Sequence, residues 1–181
     1  PRTMDRPIAA GRVSPNEALI LGTASGLIGV VILSLTTTVL ATVLSVATIV
    51  LYLFAYTPLK RRTVHNTLVG AVPGALPPLI GYAAAAGTLG ADAWVLFAVL
   101  FFWQLPHFYA IAWMYREDYR LGGYKMLSVV DPSGRSTRIQ AVIYTLILIG
   151  ASLSPILVGP TSVPYITGAV VLGLGLLAVA I

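Results

Sequence analysis

Every Lys and Arg of this chain, 11 in all, falls within residues 1–15, 58–64 or 114–138. Around these segments run uncharged stretches of 42 residues (18–59), 29 (63–91), 23 (93–115) and 43 (139–181). A helix rises 1.5 Å per residue and a bilayer's hydrocarbon core is about 30 Å thick, so one crossing takes roughly 20 residues. The stretches therefore hold two, one, one and two crossings. The natural hairpin in the first is Thr36-Thr37-Thr38, and Gly159-Pro160 divides the last. The spacing predicts helices at 16–35, 39–57, 65–86, 92–114, 138–157 and 162–181. The expected fold class is all-α: a polytopic transmembrane helical bundle forming a single membrane domain.

Only 9% of residues are charged, against about 25% in a soluble domain, and the mean hydropathy is +0.90. The connections at 36–38, 87–92 and 158–162 contain no Lys or Arg, and only Asp92 is charged there. Short loops rich in Lys and Arg stay on the cytoplasmic side, so the three basic segments are expected to face the cytoplasm. That segregation accounts for the net charge of +5 without a nucleic-acid partner; the partner it implies is the lipid bilayer. There is no cysteine, which excludes disulfides, thiolate metal sites and Cys nucleophiles. The sequence opens at Pro1 and closes within an apolar run at Ile181, so an internal part of a longer protein is expected.

Two features exceed what topology requires. The 114–138 segment mixes signs: Arg116-Glu117-Asp118-Tyr119-Arg120, then Gly122-Gly123-Tyr124-Lys125, then Asp131. Carboxylates add little to orientation, but beside Arg and Lys they suit a phosphate bridged by Mg²⁺. Polar residues also enter the same end of two spans. Asn66 lies about one turn beyond the 58–62 loop, and Gln104 and His107, three apart, are expected on one helical face. Polar groups at matching depth in a membrane read as a site, although any one alone can be an interhelical hydrogen bond. His65, next to the basic loop, reads as interfacial.

The 65–86 span contains Gly70, Pro73, Gly74, Pro77, Pro78 and Gly81, and is expected to be kinked or partly unwound against a cavity. Close packing through Gly70 and Gly74 is the alternative. For the same spacing at Gly22 and Gly26, close packing is the expected use.

Arg2-Thr3-x-x-Arg6-Pro7 with Gly11-Arg12, and Tyr56-Thr57-Pro58-Leu59-Lys60-Arg61-Arg62-Thr63, resemble the UbiA-type membrane prenyltransferases. Within that superfamily three stretches are similar to the protohaem IX farnesyltransferase (haem O synthase) family. They are Asn66-Thr67-x-Val69-Gly70-Ala71-x-x-Gly74-Ala75-x-Pro77-Pro78, Trp103-Gln104-x-Pro106-His107-Phe108, and Arg116-Glu117-Asp118-Tyr119-x-x-Gly122-Gly123-Tyr124-Lys125-Met126-Leu127. The likeness runs from Arg2 to about Asp131; residues 139–181 match only as generic membrane helix.

The resemblance implies nine spans around a central cavity and two acidic motifs that bind prenyl diphosphate through Mg²⁺. The six helices here would be the third to eighth. The family's first acidic motif precedes the Arg-Thr-x-x-Arg-Pro element and is not in this sequence, so the chain alone is expected to be inactive. In the second, Gly122 stands four residues after Asp118 where the superfamily often has Asp, so the second metal carboxylate beside Asp118 is Glu117 or is missing.

The implied substrates are farnesyl diphosphate and haem B, the product haem O. Asp118, His107 and Asn66 are the implied catalytic residues. Lys60, Arg61, Arg62, Arg116, Lys125, Arg2 and Arg6 would hold diphosphate, and Gln104, His107, Tyr56, Trp103, Phe108, Tyr109 and Tyr119 would line the cavity. His107 is open between orienting haem and assisting water addition. A haem A synthase or an oxidase-assembly factor is a candidate partner, and a bacterial inner membrane, or a mitochondrial one in a eukaryote, the expected location. The rivals are another prenyltransferase of the superfamily acting on an aromatic acid or chlorophyll precursor, and a transporter. A transporter would explain the Pro-rich span and His107, but no inverted repeat relates 16–86 to 92–181.

Overall fold

The computed structural model describes residues 4–180, which are helical with no strand. Four long helices come first: α1 Pro15–Thr36, α2 Val39–Leu59, α3 Asn66–Ala86 and α4 Ala91–Met114. Two short ones follow, α5 Arg116–Leu121 and α6 Leu127–Val130. Two more long helices, α7 Arg135–Val158 and α8 Val163–Ala180, complete six that are long and apolar enough to cross a bilayer. The expected all-α membrane bundle is what the chain forms.

Helix starts follow local chemistry. Ser14 and Glu17 form a reciprocal capping box, with Ser14 N–H donating to Glu17 Oε2 at 2.8 Å and Glu17 N–H to Ser14 Oγ at 3.2 Å; Pro15 needs no partner at N1. Thr38 caps α2 through Ala41 N–H, and its hydroxyl donates to the Ala83 carbonyl at 2.9 Å, pinning the start of α2 to the end of α3. Gly87, at φ 73°, terminates α3 in the left-handed conformation that a Cβ would disfavour.

In chain order each long helix packs on the next: α1 on α2, α2 on α3, α3 on α4, α4 on α7 and α7 on α8. Among the described residues, half of the buried apolar ones are alanines, Ala41, Ala71, Ala75, Ala83, Ala93 and Ala112, set around larger side chains such as Leu79, Leu105 and Tyr109. Lipid is as apolar as Leu, so spans associate by close backbone approach rather than by burying large side chains. Many other large residues turn outward, among them Leu35, Phe54, Leu157 and Val179.

Two backbone features were not as the sequence suggested. The segment from Asn66 to Ala86 stays one continuous helix, with Pro73, Pro77 and Pro78 inside it and no unwound turn. Gln104 on α4 donates to the Ala71 carbonyl at 2.7 Å, giving that carbonyl a second donor just before the prolines. In α2 the last turns, Leu51–Tyr56, widen to a π-helix ahead of Pro58. Pro58 has no N–H to give, and the wider turn lets Thr57 N–H reach Tyr52 O, with the Thr57 hydroxyl on the same carbonyl at 2.8 Å.

Candidate active site

The basic segments after α2 and α4 are sewn together at the backbone. Lys125 N–H donates to the Lys60 carbonyl at 2.9 Å. Fully buried Asn66 extends its amide to the Thr63 carbonyl at 2.6 Å and the Lys125 carbonyl at 3.0 Å. Its Oδ1 is buried with no partner among the described residues.

This seam shapes a rim cavity lined by Arg6, Lys60, Arg61, Asp118, Tyr119 and Tyr124, among others. Three cations and one carboxylate thus face one space. The π-turn sets Lys60 over two rings, its Nζ 4.3 Å from the Tyr56 centroid and 5.5 Å from that of Tyr52. Each such contact is worth about 0.5–2 kcal/mol. Burial against these rings lowers the Lys60 pKa from its ordinary value. Arg61 lies 5.7 Å from the Tyr124 ring, which meets Tyr119 edge-on.

Below the rim lies an apolar cavity of about 570 Å³, within the range of small-molecule sites. Its walls include Gly22 and Gly26 of α1, Ile49 and Leu53 of α2, Gly70 and Gly74 of α3, and Gln104 and Phe108 of α4. Tyr56, Tyr119 and Met126 line both cavities, so the charged rim opens onto the apolar space across shared side chains. Glycine lets α3 approach its neighbours closely: a Cβ at Gly70 would stand 2.6 Å from Tyr56 Cε2, and one at Gly74 would displace the Gln104 amide at Oε1.

An apolar pocket beneath a cluster of cations and a carboxylate suits a molecule with a long hydrocarbon tail and a polyanionic head. Comparison with known proteins decides the matter: the profile of the UbiA prenyltransferase family matches residues 1–181.

The chain belongs to the UbiA prenyltransferase family.

It is 53% identical over 173 residues to the "Protoheme IX farnesyltransferase" of Solibacter usitatus, covering 96% of this chain and 59% of that one. The Salinibacter ruber protein of that name is 48% identical over 173 residues, 96% of this chain and 61% of its own. The mitochondrial protein of Arabidopsis thaliana is 51% identical over 141 residues, 78% of this chain and 32% of its own. The chain thus spans about three-fifths of the length of the two bacterial relatives. No solved structure matches it.

Several residues that the UbiA resemblance singled out stand elsewhere. Arg2 lies outside the described residues. Glu117 does not join Asp118 in the rim cavity: its two oxygens accept from Arg120 at 2.6 and 2.9 Å, and that pairing lowers its pKa. Neighbours on a helix point about 100° apart, so adjacent carboxylates seldom share a site. Among the described residues there is no group of three or more His, Cys, Asp or Glu side chains arranged to hold a metal ion. For Mg²⁺, which is held by one or two carboxylates together with substrate phosphates and waters, Asp118 is a fitting ligand and Glu117, as placed, is not.

Arg116 stacks on Trp113, 4.6 Å from its ring, and donates to the Trp113 carbonyl. Arg62 and the Lys125 side chain are exposed and do not line the rim; Lys125 contributes its backbone. Asn66 is a strut under the rim rather than a wall of it.

Gln104 and His107 do not share a face as expected. Three residues turn a helix by about 300°, a net offset of about 60°, and the neighbouring helices divide that arc: Gln104 is buried in the apolar cavity while His107 is exposed, in a second groove with Trp103 and Tyr109. Gly22 and Gly26 correct another expectation: a Cβ on either meets nothing within 4 Å, so they are cavity wall rather than a close-packed seam. Tyr52, Thr67, Tyr115, Tyr124 and Met126 line the cavities and were not singled out from sequence. Tyr52 could have been found, one helical repeat before Tyr56 and two before Lys60. Tyr115 and Tyr124 depend on how the α4–α6 connection folds.

Proposed function

We propose that the protein containing this chain transfers the farnesyl group of farnesyl diphosphate to a vinyl group of haem B, giving haem O and diphosphate. The observation that carries this reading is the continuity between the rim of Arg6, Lys60, Arg61 and Asp118 and the apolar cavity beneath it. The relatives' names suggest the acceptor.

The diphosphate would sit at the rim, its oxygens taken by Lys60 and by the guanidinium forks of Arg6 and Arg61. The isoprenoid tail would lie in the apolar cavity along Gly70, Gly74 and Phe108. The C1–O bond breaks with its electron pair leaving on diphosphate, and the vinyl π electrons form the new C–C bond to C1. Water adds to the carbon left electron-deficient on the haem side and loses a proton. The ring faces of Tyr56, Tyr119 and Phe108 stabilise positive charge as it develops, and the apolar lining disfavours competing water. Asp118 would hold a Mg²⁺ ion, which when bound would supply charge neutralisation for the leaving diphosphate.

By the positive-inside rule the rim faces the cytoplasm of a bacterial inner membrane, or the matrix if the protein is mitochondrial. A haem A synthase or oxidase-assembly factor is the natural recipient of so insoluble a product.

The test is turnover by the full-length protein in membranes, with haem B and with 4-hydroxybenzoate as acceptors. Haem O, identified by the added mass of a farnesyl group and a hydroxyl, is expected. Prenylation of the aromatic acid alone would transfer the assignment to another branch of the family.

A further inference from the structure

A second groove, of about 570 Å³, runs along the other side of α4, between α4, α7 and α8. It shares no lining residue with the apolar cavity beneath the rim. Along α4 it extends from Trp103 to Trp113, a rise of about 15 Å, or half the hydrocarbon thickness of a bilayer. Trp103, Pro106, Leu176 and Val179 belong to its apolar wall, and His107 stacks on Trp103 at 5.1 Å with planes 14° apart. At the other end stand Ser133, Gly134, Thr137 and Arg138, of the basic 114–138 segment.

Positive charge gathers at that end. Arg138 lines the groove, is exposed and makes no ion pair among the described residues. Trp113 lodges against Gly134, where a Cβ would stand 2.6 Å from Trp113 Cη2, and carries Arg116 over its ring at 4.6 Å. Two guanidinium groups thus reach the mouth, Arg138 directly and Arg116 through Trp113. The carboxylates of the segment are engaged elsewhere: Glu117 accepts from Arg120, Asp131 from Ser133 and Ser136, and Asp118 lines the rim cavity.

Thr137 adds a second signal. It is 6% exposed, and its hydroxyl is buried with no hydrogen-bond partner among the described residues. Buried hydroxyls in folded proteins nearly always find one, so this wall lacks an acceptor that an occupant can bring.

We propose that this groove is a binding site for an anionic phospholipid of the leaflet bordering the basic segments. Arg138, with Arg116 behind Trp113, holds the phosphate, and the Thr137 hydroxyl donates to an ester carbonyl of the glycerol. One acyl chain lies along Trp103, Pro106, Leu176 and Val179. Guanidinium, hydroxyl and hydrocarbon wall follow one another in the order of phosphate, ester and chain in such a lipid. Basic pockets between spans on the cytoplasmic or matrix side recurrently take anionic headgroups. Phosphatidylcholine has the same phosphate beneath a cation, which the two guanidinium groups repel.

The experiment is native mass spectrometry of the full-length protein, delipidated in detergent and titrated with phosphatidylglycerol or phosphatidylcholine. One phosphatidylglycerol per protein is expected to bind about tenfold more tightly than phosphatidylcholine. Arg138→Gln should abolish most of that preference and Arg138→Lys restore part of it. Thr137→Val should weaken both lipids alike, by about threefold, because the ester is common to them. Ala110→Trp, which fills the groove from an exposed position, should exclude both. Delipidated Arg138→Gln and Ala110→Trp are expected to melt with the wild-type protein, since both positions are exposed. Equal affinity of the wild type for the two lipids would overturn the proposal, as would a preference that survives Arg138→Gln. So would unchanged binding in Ala110→Trp, or a wild-type protein that takes up neither lipid because another segment of its own chain fills the groove.

Discussion

The Asn66 side-chain amide donates to the Lys125 carbonyl at 3.0 Å, spanning 59 positions of sequence. It joins the connection after α2 to the connection after α4, from which Lys60, Arg61, Asp118 and Tyr124 reach the rim. Asn66→Leu removes the donor to the Lys125 carbonyl and leaves Thr63 O with only the backbone N–H of residue 66 at 3.4 Å, a cost of about 1–3 kcal/mol for a buried group left unsatisfied. The expected outcome is a lower melting temperature in detergent and a higher KM for farnesyl diphosphate. Unchanged values of both would show that the seam does not support the rim.

Asp118 faces the rim cavity, and Glu117 is held by Arg120 on the outside. Asp118→Asn should lower kcat by at least a hundredfold, the scale of losing a charge-stabilising group at a reacting centre, while the protein stays folded. Glu117→Gln should retain most of the activity. Equal losses in a haem O assay would mean that both carboxylates act on substrate and that the Arg120 pairing gives way on binding.

Gly22 and Gly26 line the apolar cavity where an added Cβ meets nothing within 4 Å. Gly26→Leu should therefore fold normally yet shorten the space for the tail. The KM for farnesyl diphosphate should rise about tenfold or more, since overpacking costs about 1–3 kcal/mol, with geranyl diphosphate much less affected. Parallel changes for the two substrates would place the tail elsewhere.

Hydrogen bonds from Ser133 and Ser136 hold the Asp131 carboxyl well below the usual carboxylate range. A depressed folded-state pKa stabilises above the unfolded value of about 4, and the benefit is lost as pH falls towards the folded-state value. Asp131→Ala should thus lower the melting temperature most near neutral pH, with a penalty that shrinks steadily below about pH 4. A penalty independent of pH would assign the effect to lost capping geometry rather than to charge.

Span number and approximate ends were legible because they depend on local quantities: the length of uncharged runs, the turn at Thr36-Thr37-Thr38, and where Lys and Arg are allowed. The segment from Asn66 to Ala86 was legible as a cavity wall but not as an unbroken helix, because continuity through its prolines depends on the spans packed around it rather than on its own residues. Rim composition was legible for Lys60, Arg61 and Asp118, which share motifs. It was misleading for Glu117, which is adjacent to Asp118 in sequence but turned away in space.

Charge and hydropathy along the chain by themselves determined a six-span bundle with its cations kept apart from lipid, since the energy of each residue in a bilayer depends first on that residue's own chemistry. Which cations and which carboxylate share a cavity, and that His107 and Gln104 part company around α4, were decided only by tertiary packing. The reason is angular: a rotation of about 100° per residue, read against neighbouring helices, separates adjacent side chains and unites distant ones.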